Sequence, residues 1–220
     1  MRRAGPLGIG IRLHRAVIVA LVGSCALVLS SCGNPKYQYL QDKDVGAYFK
    51  VPSGWTVLDE DQMLAADPTL SPSERTARKA TGWVVGASGR LLRQPDGTLS
   101  PDPTRPWVVA NVFALSQQGH DVMSNEVMAT VLTDLSKLPA DQYTNFGTQD
   151  VVLDGGYHGI RRVFELRNDD GTFSDHVEQV LTNPQTSLLY TLRILCTPDC
   201  FDQYTGDIGA VLGSWTIKEP

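Results

Sequence analysis

Runs of apolar side chains, separated by turn residues, predict a mixed fold of strands and helices. A nine-residue apolar and β-branched run over residues 107–115 is typical of a central strand buried on both faces. Four extended runs follow in the C-terminal half, divided by turn signals rich in Asn, Asp, Gly and Pro. They cover about residues 148–153, 158–167, 174–181 and 188–195. This arrangement predicts an antiparallel meander.

Apolar residues at helical spacing predict two longer helices. The first covers residues 123–138, with Ser124 as its cap. The second begins at Pro198, a residue that suits the first helical position, and ends near Gly213. A final strand over residues 214–217 follows it.

The N-terminal half gives shorter signals. Extended runs at residues 47–51 and 55–57, joined by a Pro-Ser-Gly turn, predict a β-hairpin. Residues 59–66 can form a helix. The stretch over residues 72–106 has two short apolar runs and four prolines near its end, so we expect much of it to be loop.

The first 31 residues differ in composition from the rest of the chain. They carry four arginines, no acidic residue and a 14-residue apolar run, which predicts a secretory signal peptide. The segment ends in Leu-Ser-Ser-Cys32, which resembles the lipobox of bacterial lipoprotein precursors. The resemblance implies that the Cys32 thiol receives a diacylglyceryl group, that cleavage occurs just before Cys32, and that the new N-terminus is acylated, with palmitate as the expected chain.

Three other readings of this segment stay open. A weaker lipobox match ends at Cys25, an uncleaved signal would leave a helical anchor, and a secreted protein could carry the cysteine by coincidence. With Cys32 as the modified residue, the predicted segments are a signal peptide over 1–31, a tether over 32–44 and a single globular domain over 45–220. The mature chain would then lie outside the cytoplasm, anchored to the membrane by lipid.

Charge excludes one class of partner. Without the four arginines of the signal, 15 basic and 24 acidic side chains remain, a net charge of -9. Nucleic-acid binding needs a basic surface, so we do not expect it as the main role.

Basic residues are concentrated in one segment of this acidic chain. Between residues 75 and 105 there are six bases and two acids, a charge of +4 against -13 for the rest of the mature chain. Such a difference can attract an anionic partner or lipid head groups, which makes the segment a candidate contact surface. The alternative is a solvated loop with ordinary scatter of charge. The bases are Arg75, Arg78, Lys79, Arg90, Arg93 and Arg105.

The two cysteines outside the signal and the lipobox predict a disulfide. Cys196 and Cys200 form an even pair in an oxidising compartment, and the loop they close is five residues long. Such a loop stabilises the fold by roughly 2 kcal/mol on the chain-entropy model. Redox-active thiols are the alternative, but exchange catalysts usually have two residues between the cysteines.

Motifs of catalysis, metal binding and nucleotide binding are absent from the sequence. Asp175-His176-Val177-Glu178 offers possible metal ligands, since His176 and Glu178 would share one face of a strand. No third ligand can be named, so a packing or surface histidine is the preferred interpretation. We therefore expect no enzyme activity, no metal and no cofactor.

Two ends of the chain resemble PsbP-like domains. The opening segment Tyr48-Phe-Lys-Val-Pro-Ser-Gly-Trp55 is similar to the family's aromatic hairpin, and the last helix with Gly213-Ser-Trp-Thr-Ile217 is similar to its closing helix and strand. The chain is also similar to the LpqN-type lipoproteins of actinobacteria, which carry a lipobox. The resemblance implies an α+β fold, with an α/β/α sandwich around an antiparallel sheet.

The same resemblance implies a docking or accessory role, because the family shares no catalytic residues. We expect a lipid-anchored lipoprotein of the cell envelope that acts as a non-catalytic binding or adaptor module. A carrier of a lipid or other apolar ligand is the alternative. The expected partners are the membrane, through the anchor, and an unidentified envelope protein or lipid.

The first prediction concerns Cys32. We expect the Cys32→Ser variant to be released into the medium or to stay as an uncleaved precursor, because serine cannot accept the lipid. Mass spectrometry of the mature N-terminus measures this. A mature chain that begins at any residue other than a lipidated Cys32 would contradict the prediction.

Overall fold

The computed structural model describes residues 35–67, 69–95 and 97–219. The predicted signal peptide, Cys25 and Cys32 lie outside these residues. Among the described residues, no helix has the length and apolar character that crossing a membrane requires.

Twelve strands of the described residues form three antiparallel sheets. The largest has seven strands in the order β3-β4-β7-β11-β10-β9-β8, a second has the order β1-β2-β12, and β5 and β6 pair as a small ribbon. The strands are β1 (Tyr37–Asp42), β2 (Ala47–Pro52), β3 (Thr56–Leu58), β4 (Gly82–Ser88), β5 (Leu91–Arg93), β6 (Leu99–Pro101), β7 (Trp107–Ala114), β8 (Tyr143–Val152), β9 (His158–Arg167), β10 (Phe173–Thr182), β11 (Leu188–Cys196) and β12 (Thr216–Ile217).

Six short α-helices of the described part of the chain cover the sheets. They are α1 (Glu60–Ala66), α2 (Pro72–Thr81), α3 (Gln117–Val122), α4 (Asn125–Val131), α5 (Pro198–Gln203) and α6 (Thr205–Ser214). Helices lie on both faces of the large sheet, which confirms the predicted α+β fold with a layered α/β/α arrangement. One of the two outer layers also contains the three-stranded sheet.

The C-terminal meander is confirmed. Strands β8, β9, β10 and β11 pair with each other in chain order and antiparallel, and β9 has the predicted bounds. Strand β7 pairs with both β4 and β11, which confirms it as a central strand. Only one of its faces is fully buried, because alternate residues are buried and half-buried.

The first face of the large sheet carries Val108, Ala110 and Val112, and it holds the main core. These three side chains have no exposed surface, and they pack with Leu192 and Ile194 of β11. Strand β2 and helix α6 cover them with a second apolar layer. Its members include Phe49, Val51, Ile208, Val211 and Trp215. Within this layer, the Phe49 ring of β2 contacts the Trp215 ring at the end of α6 edge to face, with the two ring centroids 5.6 Å apart.

The second face carries Val84, Asn111 and Phe113 on the opposite side of the same strands. Helix α4 packs there through Met128, which contacts Ile160, Val180 and Leu189. This cluster has four buried members, against eighteen in the main core. The second face is therefore covered less completely.

The predicted tether is wrong at its C-terminal boundary, and the predicted hairpin is wrong in its strand pairing. Residues 37–42, assigned to the tether, form β1 and pair with β2. The turn after β2 does form, with the Trp55 amide donating to the Pro52 carbonyl at 3.0 Å. The turn leads the chain from the three-stranded sheet into the seven-stranded sheet, because β2 pairs with β1 and β12 while β3 pairs with β4. Each partner of β2 comes from one end of the domain, which local spacing does not reveal.

The predicted loop over residues 72–106 is also wrong for much of its length. It contains α2, the core strand β4 and the ribbon of β5 and β6. Strand β4 supplies Val85 and Ala87 to the main core. The prolines lie at the ends of these elements, where a missing amide costs no hydrogen bond.

Both long helices are interrupted. The first becomes α4 and a single 3₁₀ turn over Leu135–Lys137, because Leu132 has φ −99° and ψ −88° and leaves helical geometry. The second is divided into α5 and α6 at Tyr204, with φ −105° and ψ 15°. Helical spacing of apolar residues continues through both breaks, so it cannot locate them.

Cys196 and Cys200 lie at disulfide distance, with their Cα atoms 5.9 Å apart. Cys196 ends β11 and Cys200 lies in α5, so the bond joins the sheet to the start of a helix. Both cysteines are buried.

We expect reduction of this disulfide to lower the free energy of unfolding by about 2 kcal/mol, because the open loop gains conformational freedom in the unfolded chain. Urea unfolding with and without reductant measures the difference. A Cys196→Ala/Cys200→Ala double variant serves as control and should not respond to reductant. Two reactive thiols in the untreated folded protein would contradict the prediction.

Candidate functional site

A cleft of about 640 Å³ lies on the second face of the large sheet, between α1, α2, β4 and β7. Its volume is within the range of about 300–1,000 Å³ that is common for ligand sites. The cleft is partly open to solvent, so an occupant would stay in contact with water on one side. We treat it as the candidate binding site.

Local sequence fixes the two helices that form the cleft. Asp59 caps α1 and exchanges hydrogen bonds with Gln62, and Ser71 caps α2 in the same way with Glu74. Each of these capping boxes satisfies amides that the helix itself leaves free. Pro72 also favours the start of α2.

Helix α2 is polar on all sides, and this keeps the cleft open. None of its ten residues is buried. The Lys79 ammonium binds the Asp61 carboxylate of α1 at 2.7 Å, and the Arg75 guanidinium donates to the Asp67 carbonyl at 3.3 Å. Polar contacts therefore hold α2 to α1. Helix α2 has no apolar side chain long enough to cover the sheet below it.

The floor and inner wall of the cleft are mainly apolar. Val84 and Phe113 line the floor from neighbouring strands, with Asn111 between them as the polar member. Met63 and Leu64 form the inner wall from α1. These side chains can contact an apolar group, and Asn111 provides one amide for orientation.

Gly86 allows α1 to lie close to the sheet. A Cβ atom at this position would collide with the Met63 sulfur and the Trp107 ring. A larger residue would force the Met63 and Trp107 side chains to move. Gly86 thus leaves room for Met63 against the sheet.

Charged residues stand at the rim of the cleft. Burial raises the pKa of the Glu60 carboxyl, and the nearby Lys79 ammonium opposes this shift. Hydrogen bonds from Thr69 lower the pKa of Asp67. Arg78 also lines the cleft. An occupant would therefore meet both signs of charge at the entrance and apolar surface inside.

The predicted contact surface is divided into two groups. Arg75, Arg78 and Lys79 lie on α2 before β4, and the other three bases lie after β4 around the small ribbon. Strand β4 has seven residues, which separates the groups by about 20 Å at the usual rise per residue. Only Arg78 lines the cleft. The candidate surface stays a prediction, now in two separate patches.

The second patch consists of Arg90, Arg93 and Arg105. The Arg90 Nε lies 3.8 Å from the Asp102 carboxylate, and Arg93 donates to the Gly97 carbonyl at 3.1 Å. Arg105 stacks over the Tyr204 ring at 5.1 Å from its centroid. These contacts orient the three side chains at the surface, and none of them is buried.

His176 and Glu178 share one face of β10, as their spacing predicts, but their neighbours are arginines. Glu178 Oε2 accepts from Arg162 Nη2 at 2.9 Å, and Glu178 Oε1 accepts from Thr133 at 2.7 Å. Arg193 Nε lies 3.1 Å from Oε1, an ion pair without hydrogen-bond alignment. No group of three or more possible metal ligands occurs within the part of the chain that the structure describes.

The polar cluster formed by Glu178, Arg162 and Arg193 also fixes the end of helix α4. Arg162 donates to the Ala129 carbonyl at 3.0 Å and also to the Thr133 carbonyl. These carbonyls belong to the end of the helix and the residues after it, where backbone acceptors lack partners. The buried arginine therefore fixes the point at which the predicted long helix stops.

Sequence reasoning missed the cleft, since its lining comes from three separate segments of the chain, within residues 60–70, 78–84 and 111–113. One local signal was available: Ser71-Pro-Ser-Glu74 has the capping-box spacing that marks the start of α2. The apolar run Trp83-Val-Val85 is a second such signal, because in a strand the Val84 side chain lies on the face opposite to those of Trp83 and Val85.

Comparisons with known proteins gave structural matches only. No family model matches the sequence, and no curated protein sequence matches it. The solved structure of the cyanobacterial PsbP from Synechocystis sp. is 17% identical, covers 87% of this chain and 99% of its own, and has a TM-score of 0.47. LpqN of Mycobacterium tuberculosis, described as involved in cell envelope biogenesis, is 14% identical, covers 84% of this chain and 94% of its own, and has a TM-score of 0.48.

A third match is the Ran-binding protein Mog1p of Saccharomyces cerevisiae, which is 9% identical, covers 82% of this chain and 95% of its own, and has a TM-score of 0.46. Both groups that the sequence resembles, PsbP and the LpqN type, are represented among the structural matches.

We expect His176 to make stability depend on pH. Burial lowers the pKa of His176 from 6.5 to about 4. Between these values the unfolded chain binds a proton that the folded chain does not, so the free energy of unfolding should fall as pH decreases through this window. The loss for this residue is up to about 3 kcal/mol. Urea unfolding at a series of pH values measures it.

A His176→Phe variant tests the assignment, because phenylalanine can keep the stacking on Phe164, whose ring centroid lies 4.8 Å away. The variant should show a smaller decrease between pH 6.5 and 5. Replacement of the exposed His158 by Asn should leave the decrease unchanged. Equal slopes in the wild type and the His176→Phe variant would refute the prediction.

Proposed function

We propose that this protein is a lipid-anchored, non-catalytic binding module of the cell envelope, attached at Cys32, whose cleft holds an apolar group of a partner. The lipobox supports the anchor and the location outside the cytoplasm. The single observation that carries the binding role is the open cleft with its apolar floor and charged rim.

An adaptor fits this geometry better than a carrier. The main core on the first face is filled by close-packed side chains, and the cleft is open along one side. An apolar side chain or loop of a partner protein can enter such a cleft while the partner contacts the charged rim. A carrier would need to remove a whole lipid chain from water.

The carrier function stays the second candidate because of the volume of the cleft. About 640 Å³ is enough for a small apolar ligand. Val84, Phe113 and Met63 would contact its apolar part, and Asn111 would orient a polar end.

An Ala66→Trp variant should block the cleft. Ala66 is exposed and lines the cleft, so an indole at this position would fill part of its volume. We expect the wild type to bind the neutral apolar dye Nile red with a blue-shifted emission, and the Ala66→Trp variant to lose this binding. Fluorescence titration measures both.

Ala65 provides a matched control. It is exposed on the same helix but does not line the cleft, so the Ala65→Trp variant should bind the dye like the wild type. Unchanged binding in the Ala66→Trp variant would refute the cleft as the binding site. A photo-crosslinking residue at position 66, again with position 65 as control, distinguishes the two candidates: a protein adduct in native membranes favours the adaptor, and a lipid adduct favours the carrier.

A further inference from the structure

A second pocket lies at the other margin of the large sheet. It has a volume of about 270 Å³ and is formed by the edge strand β8 and its neighbour β9. The residues of β9 that line it, Arg161 and Val163, lie on the first face, as the pairing of Val163 with Val177 and of Arg161 with Gln179 requires. This pocket is separate from the cleft, because β11 and β10 stand between β7, which lines the cleft, and β9.

Arg161 is half-buried at this pocket and has one side-chain hydrogen bond among the described residues. Its Nε donates to Gln179 Oε1 at 2.8 Å. No carboxylate of the described residues forms an ion pair with it, and burial lowers the pKa of the guanidinium. A partly buried guanidinium has five N–H donors and is stabilised by anionic oxygen atoms.

The adjacent arginine shows how this chain pairs a buried guanidinium. Arg162 lies on the second face, opposite Glu178 in the register, and binds its carboxylate at 2.9 Å. Arg161 has Gln179 opposite it on one side and Gln149 on the other. Neutral amides thus stand at the two positions where a carboxylate would complete an ion pair.

Phe146 and Val163 form the apolar part of the pocket, Thr148 and Gln149 add polar side chains, and the edge strand beside them is irregular. A β-bulge between Asn145 and Gly147 adds Phe146 to the edge strand. Phe146 is 60% exposed and lines the pocket together with Val163. Bulges often redirect a side chain beside a binding site. An apolar surface of this kind next to a guanidinium suits a ligand that joins an anionic group to a carbon chain.

We propose that the pocket at Arg161 binds an oxyanion, either a carboxylate or a phosphate, that carries an apolar chain. The Nη1 and Nη2 groups of Arg161 each donate a hydrogen bond to one oxygen atom of the anion. The Gln149 amide is placed to donate a third hydrogen bond to the anion. Phe146 and Val163 contact the first carbons of the chain. The volume, equal to about nine water molecules, holds the anionic group and these carbons.

Calorimetric titration of the purified full chain tests the proposal. The probes are octanoate, octyl phosphate, inorganic phosphate and, as neutral amphiphile, octyl glucoside below its micelle concentration. We expect at least one of the two octyl anions to bind, and which of them binds more tightly distinguishes a carboxylate from a phosphate ligand. Inorganic phosphate should bind more weakly because it lacks the chain.

Two variants at the site and one control complete the test. Arg161→Gln should weaken binding of the octyl anion by about tenfold to a hundredfold, the effect expected for hydrogen bonds to a charged group. Arg161→Lys keeps the charge but loses the two-pronged geometry, so it should bind with intermediate affinity. Arg167→Gln removes the same charge from an exposed position of the same strand and should bind like the wild type.

Several results would overturn the proposal. They are equal binding of octyl glucoside, equal weakening in the Arg167→Gln variant, and unchanged binding in the Arg161→Gln variant. Amide NMR shifts in the wild type do not depend on the folding of any variant: octyl anions should shift Gly147, Gln149 and Gln179, and shifts confined to Val84 and Asn111 would refute the site. The Ala66→Trp variant should keep this binding, so failure here and failure of the cleft are distinguishable.

Discussion

The need to bury both faces of the seven-stranded sheet determines most of this structure. On the first face, β2 and α6 cover Val108, Ala110 and Val112 with large side chains such as Phe49 and Trp215, and close packing results. On the second face, the helices are short, and α2, which covers the cleft, has no buried residue. A sheet covered so unequally has a solid core on one side and accessible apolar surface on the other.

The polar cluster on the second face replaces part of the missing apolar cover. Burial of Arg162 and Glu178 costs solvation energy, and the ion pair with its hydrogen bonds to Thr133 and the backbone offsets that cost. Such a cluster imposes one geometry, since removing Glu178 would leave the buried Arg162 without its ion-pair partner. The cluster holds α4 over β9 and β10. The part of the second face that carries Val84 and Phe113 is therefore covered by α1 and the polar α2 instead of by α4.

Local features of the sequence predicted the fold where local interactions decide it. Strand β9 has the predicted bounds because its alternating residues lie between two clear turn signals. The hairpin of residues 47–57 was wrong because β2 takes its partners from β1 and from β12, at opposite ends of the domain. The long helix over residues 123–138 was wrong because Arg162, distant in sequence, binds carbonyls at its centre. The cleft depends on the same kind of distant contact, so spacing alone could not reveal it.

Two neighbouring arginines of β9 lie in different environments. Arg161 and Arg162 point to opposite faces of the strand, and the register places glutamine opposite the first and glutamate opposite the second. A register shift of one residue in either direction would place one of the two arginines opposite a valine of β10, so charge as well as apolar packing favours the observed register. The cleft and the Arg161 pocket lie on different faces, about 19 Å apart across four strand spacings. An occupant of one site therefore has no direct contact with the other, and any coupling between them would have to pass through the strands that separate them.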